Sequence, residues 1–305
     1  MNRGHQRDHL ERPATGPPGA AASGLGAAAS GLGAAASLPP VITFLSDYGV
    51  SDDFVGVCHG VIATVCPQAR VIDITHGIPA RDVRAGAVVL REALAYMPRG
   101  IHLAIVDPGV GGDRRAVALR LADGRLLVGP DNGLLWPAAQ AAGGPEQAVD
   151  IGRSRFALEP VSATFHGRDI FAPVAARLAG GAELAQAGEA CESGGLTRLE
   201  LPRPRVEAGT LVAHVLYVDQ FGNLQLDAED REVSDIAVGQ RVTLRVGSRT
   251  WEARRGRTFA DVDAAELVVY EDSYRRLAIA VRNGSAAKRL ALAADGEVRI
   301  SAVDK

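Results

Sequence analysis

The chain has 305 residues, 47% of them hydrophobic, and a formal net charge of −3 with its seven histidines counted neutral. That is enough apolar material for one large or two ordinary cores. No long basic run is present, so a nucleic-acid surface and a polybasic membrane patch are both excluded, and a small molecule is the default ligand.

Residues 1–39 read as a disordered low-complexity tail, because the unit Ala-Ala-Ala-Ser-Gly-Leu-Gly occurs twice and offers almost nothing to bury. No charge occurs between Arg12 and Asp47. Ala, Gly and Ser nevertheless dominate that stretch, and the opening Met-Asn-Arg-Gly-His lacks an apolar signal core, so no membrane span is expected.

From Val41 the pattern alternates strand and helix. Val41 to Leu45 is a short apolar run ending at Ser46-Asp47. Phe54, Val57, Cys58, Val61, Ile62 and Val65 then follow at helical spacing behind Ser51-Asp52-Asp53, read as an N-cap and acidic first turn. Val71 to Ile74 is the next strand, Val83 to Met97 the next helix, and Ile101 to Asp107 a third strand. After Leu126 to Val128 and the turn Gly129-Pro-Asp-Asn-Gly133, Ile170, Val174, Ala175 and Leu178 mark a helix entered from Phe165-His166-Gly167-Arg168. This succession predicts an α/β domain over residues 40–200, a mainly parallel sheet with flanking helices.

Around Leu201-Pro-Arg-Pro204 the grammar changes, and this proline-rich segment is the expected linker. Residues 205–305 hold short alternating runs (Leu211 to Val218, Val242 to Val246, Leu267 to Tyr270, Leu277 to Val281, Val298 to Ile300) separated by Gly, Asp, Asn and Ser. They predict a smaller all-β, barrel-like domain. Three cysteines, Cys58, Cys66 and Cys191, form an odd set without metal-like spacing. Cys58 and Cys66 stand roughly 12 Å apart along a helix, too far for a disulfide, and a reducing cytoplasm fits.

The stretch Ala104-Ile-Val-Asp107-Pro-Gly-Val-Gly-Gly-Asp-Arg114 carries the most information. Ile101, Leu103 and Ile105 share one strand face, and Asp107 continues that face at the carboxyl end. In α/β sheets that rim is where ligands sit, which makes Asp107 the anchor of a site. Asp47 ends a second strand of the same sheet, where a carboxylate either takes paired ribose hydroxyls or caps the turn at Tyr48-Gly49. Gly109-Val-Gly-Gly lacks the spacing and lysine of a phosphate loop, so the expected ligand is a nucleoside without phosphates. His166 precedes a helix, where loop backbone and helix N-terminus favour a ligand contact. His76 reads as structural. Around Asp107 and His166 no His-x-x-x-His and no carboxylate cluster is present, so neither a metal nor a cofactor is expected. In the β part, Asp219-Gln-Phe221-Gly-Asn223 is either a plain β-turn or a binding loop. Phe259 offers a ring for stacking or for the core, and Ser273 with Val281-Arg-Asn283 forms a polar edge of the kind a purine requires.

Taken together, Ile42-Thr-Phe-Leu-Ser-Asp47-Tyr-Gly, Asp73-Ile-Thr-His76-x-Ile-Pro, Val106-Asp107-Pro-Gly-Val-Gly, Gly129-Pro-Asp-Asn-Gly133, Thr164-Phe-His166-Gly-Arg-Asp169-x-Phe-Ala-Pro173 and Asp219-x-Phe-Gly-Asn223 resemble the S-adenosylmethionine hydroxide adenosyltransferases. That family is related in fold to fluorinating and chlorinating enzymes acting on the same substrate. The resemblance runs over residues 41–301. It implies a homotrimer whose ligand lies between the N-terminal domain of one subunit and the C-terminal domain of its neighbour. It also implies a water-activating set of Asp107, Arg114 and His166, a ribose contact at Asp47 and a methionine-amino contact at Asp219. Adenine contacts are implied at Asn223, Phe259 and the backbone near Val281 and Asn283, with Phe221 in the same binding loop. Asp52 and Ser273 match polar contacts at the methionine end.

The implied reaction is in-line displacement at the ribose 5′ carbon, giving adenosine and methionine. Free hydroxide at neutral pH costs roughly 12 kcal/mol, so the site must offset that cost. Asp107 stands where the fluorinating relatives carry tyrosine, and Gly167 where they carry a serine for the halide. An anion there repels halide and admits water. The alternatives are a halogenase and a non-catalytic S-adenosylmethionine or adenosine sensor.

Overall fold

The computed structural model describes residues 39–303. The tail expected over residues 1–39 lies outside them, apart from Pro39. Two sheets fall on either side of the proline-rich segment near residue 203. The first has the strands β1 (Val41–Ser46), β2 (Arg70–Thr75), β3 (Ile101–Ile105), β4 (Ala116–Leu121), β5 (Leu126–Pro130), β6 (Pro145–Asp150) and β7 (Glu189–Cys191), in the order β2-β1-β3-β5-β4-β6-β7. The half that carries the site, β2-β1-β3-β5, is parallel throughout, whereas β4, β6 and β7 extend the sheet antiparallel.

Four helices cover this sheet: α1 (Phe54–Val65), α2 (Val83–Leu94), α3 (Trp136–Ala141) and α4 (Ala172–Ala179). On one face Cys58 and Ile62 of α1 and Val174, Ala175 and Leu178 of α4 pack on Ile42, Phe44, Leu103 and Ile105. On the other, Ala87, Leu90 and Leu94 of α2 and Ala138 of α3 pack on Leu45, Ala104 and Val106. Every residue of β3 is therefore buried, as expected for a strand covered on both faces.

One local expectation needs correction. Asp53 occupies the cap position of α1, but its side chain makes no capping bond and no acid lies in the first turn. The main-chain carbonyl of Asp53 accepts from Val57 N at 2.8 Å instead. The side-chain cap falls on α2, where Asp82 accepts from Ala85 N at 2.9 Å.

The second sheet comprises β8 (Arg205–Glu207), β9 (Thr210–Val218), β10 (Leu224–Glu229), β11 (Arg241–Val246), β12 (Arg249–Arg255), β13 (Leu267–Glu271), β14 (Arg276–Val281) and β15 (Glu297–Ala302). Its order is β10-β14-β13-β12-β11-β15-β9-β8, and β9 also pairs with β10. Seven strands thus close into a barrel, with β8 added to the outside of β9. Leu211, Val215, Leu226, Leu244, Val269, Ile279 and Ile300 belong to its core. The short helix α5 (Ala286–Leu290), capped by Ser285, joins that core through Ala286 and Leu290.

Polar links from the barrel to the α/β part run through α2 and the residues just after it. Tyr96 OH donates to the Ser273 carbonyl at 3.3 Å, Arg276 lies 3.4 Å from Glu92, and Arg84 pairs with Asp295. The barrel therefore sits on the α2 face of the sheet, opposite the face covered by α1 and α4.

Candidate active site

Beyond β3 the chain turns at Asp107, and Asn132 fixes the strand end by donating its side-chain amide to the Val106 carbonyl at 2.8 Å. The loop folds back through Gly111, whose φ of +78° places a notional Cβ against the Ala163 carbonyl. Only glycine fits such a left-handed close approach. The turn returns Arg114 onto Asp107, with Nε 2.9 Å from both carboxylate oxygens and Nη2 also bonded to Oδ2. The Asp107 and Arg114 side chains are only 6% and 10% exposed, respectively, so the pair is shielded from screening by bulk water.

The same Nη2 lies 2.8 Å from His166 Nδ1. A guanidinium has only donors, so Nδ1 must accept. That fixes His166 as the neutral tautomer with its proton on Nε2. Burial, and next the Arg114 charge, hold the imidazole below its usual pKa and favour the same state. His166 sits just before one turn of π-helix (Gly167–Phe171) that leads into α4, and Arg114 also lies over the Phe171 ring at 5.3 Å. Arg114 and His166 line a cleft of about 560 Å³ together with Gly112, Arg153, Ile170 and Gly188.

Tyr48 is a neighbour that sequence reasoning left without a role. A Cβ on Gly167 would overlap the Tyr48 hydroxyl, so glycine at 167 is what admits the phenol. Burial, and then nearby Cys58, Asp47 and Asp107, push that phenol above its usual pKa, so it is a neutral donor. Its ring packs with Phe54 and Phe165 at 5.6 and 5.9 Å. The signal was present in Asp47-Tyr48-Gly49, where an aromatic follows a strand-end acid.

Asp47 does not cap the Tyr48-Gly49 turn. Its Oδ2 accepts from Arg81 N at 2.8 Å, while Gly49 N donates to the His76 carbonyl. Asp52 lies exposed in the loop before α1. His76 is buried, with Nδ1 2.8 Å from Ser46 Oγ.

The remaining expected residues belong to the barrel. Asp219 Oδ1 accepts from Phe221 N and Asn223 N, both at 2.9 Å, and Oδ2 accepts from Asn223 Nδ2 at 2.8 Å. This turn leaves the Phe221 ring 68% exposed, with no core function to occupy it. The pairing of Leu224 with Ile279 sets the turn beside the end of β14, where Val281 is buried and Asn283 has φ +60°. Phe259 is exposed and packs edge-on against Tyr270 at 4.9 Å, on a small outer cluster with Val268 and Ala278. Ser273 lies in the turn at the opposite end of β14. Among the described residues, no hydrogen bond or ion pair joins these barrel residues to Asp107, Arg114 or His166.

Fold and geometry define a class of two-part protein: an α/β layer with an Asp-Arg-His trio at its carboxyl rim, followed by a closed barrel with an acid-ring-amide turn. The chain belongs to the SAM hydroxide adenosyltransferase family, whose N-terminal domain matches residues 42–188 and whose C-terminal domain matches residues 213–299. A Salinispora tropica protein named (R)-S-adenosyl-L-methionine hydrolase is 50% identical over 86% of this chain and 98% of its own length. A fluorinase of an Actinoplanes species is 28% identical over 79% of this chain and 90% of its own length. The crystal structure of an uncharacterized conserved protein from Thermotoga maritima superposes with a TM-score of 0.80 at 34% identity, covering 85% of this chain and 99% of that one.

Proposed function

We propose that this protein hydrolyses S-adenosyl-L-methionine to adenosine and L-methionine. The observation that carries the reading is one guanidinium bridging the Asp107 carboxylate and His166 Nδ1. The hydrolase relative supports it at nearly twice the identity of the fluorinase. That relative's name specifies the R configuration, and the same sulfonium epimer is the substrate expected here.

Water attacks the ribose 5′ carbon as the C5′–S bond breaks, and the bond pair leaves on sulfur as the methionine thioether. The water gives up one proton. Arg114 has no acceptor, His166 Nδ1 is occupied and Nε2 already carries hydrogen, so Asp107 is the one member of the trio able to receive it. His166 Nε2–H orients the attacking oxygen by donation, and Arg114 fixes the geometry of both partners. In this assignment Asp47 binds the ribose hydroxyls and Asp52 and Ser273 serve the methionine end. Asp219 meets the methionine amino group. Phe221, Asn223, Phe259, Val281 and Asn283 surround the adenine. Charge disappears from sulfur as the product forms, so no metal or cofactor is needed for this step.

The trio adjoins the helix face opposite the one that holds the barrel. A complete site then needs the barrel of a neighbouring copy, which favours the homotrimer with inter-subunit sites. Cytoplasmic residence fits the free thiols Cys58, Cys66 and Cys191, and no described helix is long and apolar enough to cross a membrane. The deciding experiment incubates purified protein with S-adenosyl-L-methionine in 18O-labelled water. Adenosine labelled at the 5′ hydroxyl is expected. A 5′-halo nucleoside with chloride or fluoride present, or binding without turnover, overturns the reading.

A further inference from the structure

On the α1 side of the sheet, His59 of α1, Asp73 of β2 and His76 of the following loop converge. His59 Nε2 lies 2.9 Å from Asp73 Oδ1, and His76 Nε2 lies 3.1 Å from that same oxygen. One donor atom from each residue falls within 4.8 Å of the other two. Two imidazoles and a carboxylate form a ligand set for a borderline divalent metal. At metal-ligand distances near 2.1 Å, donors stand about 3.0 Å apart at right angles and about 3.4 Å apart in a tetrahedron, and the two histidine-carboxylate spacings, 2.9 and 3.1 Å, lie close to the first of these.

His76 supplies an independent sign. Its side chain is only 6% exposed, yet Nε2 has no hydrogen-bond partner. The neighbouring Asp73 oxygen is close enough but lies off the axis of the ring nitrogen. A carboxylate takes that position when it and the imidazole bind one ion between them. The other nitrogen, Nδ1, is fixed by Ser46 Oγ at 2.8 Å, an outer-shell contact of the kind that orients metal-bound histidine. The Phe44 ring, 4.7 Å from the His76 ring and edge-on to it, holds the imidazole from the side. His59 and Asp73 are 35% and 43% exposed, which leaves an entry path and room for water ligands.

The geometry points to a structural divalent-metal site at His59, Asp73 and His76, taking Zn²⁺, Co²⁺ or Ni²⁺ and clamping α1 to β2. It is separate from the trio, and the hydrolytic step does not run through it.

The test uses the full chain without a polyhistidine tag, stripped with chelator and titrated with Co²⁺, then with Zn²⁺. One equivalent of Co²⁺ is expected to give a visible absorption band that Zn²⁺ displaces, and Zn²⁺ is expected to raise Tm. His59→Ala and Asp73→Asn should each lose the band and the Tm rise while retaining adenosine formation, which shows that the variants fold. Absence of the band in the unaltered chain overturns the proposal. So does a band that persists in both variants, which would place the ion elsewhere, for example on His5 and His9.

Discussion

A guanidinium that serves a carboxylate and an imidazole together cannot be replaced by a point charge. In Asp107→Asn the shape survives and the base that receives the proton is lost. The expected result is a kcat lower by about 10²- to 10⁴-fold with KM little changed, read by chromatography of adenosine. Gly167→Ala places a methyl group against the Tyr48 hydroxyl and should sharply reduce activity. The double variant carrying Tyr48→Phe as well relieves the collision and should recover a substantial part of it. Failure of this rescue would show that Gly167 matters for another reason. Asp107 was legible in the sequence because the apolar alternation of β3 runs into it. From its own neighbourhood His166 was legible as a loop histidine ahead of a helix, and its grouping with Asp107 and Arg114 came from the family resemblance. Its tautomer was not, since that depends on Arg114 arriving across 52 residues. The proximity of Tyr48 to Gly167 was equally hidden, because no local pattern encodes it.

At the level of elements, the parallel strands announced themselves by short, mostly apolar runs, whereas β4, β6, β7, β8, β10 and β12 escaped notice. The strand β12 reads Arg-Thr-Trp-Glu-Ala-Arg-Arg, and charges on both faces, Arg255 being buried in line with Trp251 and Ala253, mask the alternation that the β11 pairing reveals. The antiparallel continuation of the first sheet depends on β4 turning back along β5, which strand-helix alternation alone does not predict. A polar residue inside β3 makes a further prediction. His102 is fully buried, bonded through Nδ1 to Thr43 Oγ1 at 2.8 Å, and burial, then the Arg125 charge, lower its pKa to about 4. The unfolded chain takes up this proton first, so the stabilisation is complete above about pH 6.5 and is lost as pH falls towards 4. At about 1.36 kcal/mol per unit the loss is at most about 3 kcal/mol. Denaturant midpoints at pH 7 and pH 5 should show the decline, and His102→Gln should flatten it.

For the whole molecule, the decisive geometry is that each chain holds the two expected halves of a site without joining them. Complementation follows from that. Asp107→Asn chains and Asp219→Asn chains, each weak alone, should regain activity when unfolded together and refolded as mixed assemblies. Mixtures no better than the sum of their parts would place each site within one chain. The passage from the first sheet to the second, between β7 and β8, coincides with the change of grammar near Pro202 and Pro204. Which face of the sheet receives the barrel was not, because the contacts of Arg84, Glu92 and Tyr96 are made by ordinary surface residues.

Pairing of β9 with β10 leaves each of the seven barrel strands a neighbour on both sides, and the extra strand β8 ends the ladder after three residues. In the other sheet one border, β7, is equally brief, and the longer border at β2 is broken by Arg70 and Asp73. Unsatisfied backbone rows are what recruit foreign strands into fibrils, and short or charged margins frustrate that recruitment. The described fold thus offers little template for cross-β growth, a useful property in an enzyme stored or expressed at high concentration.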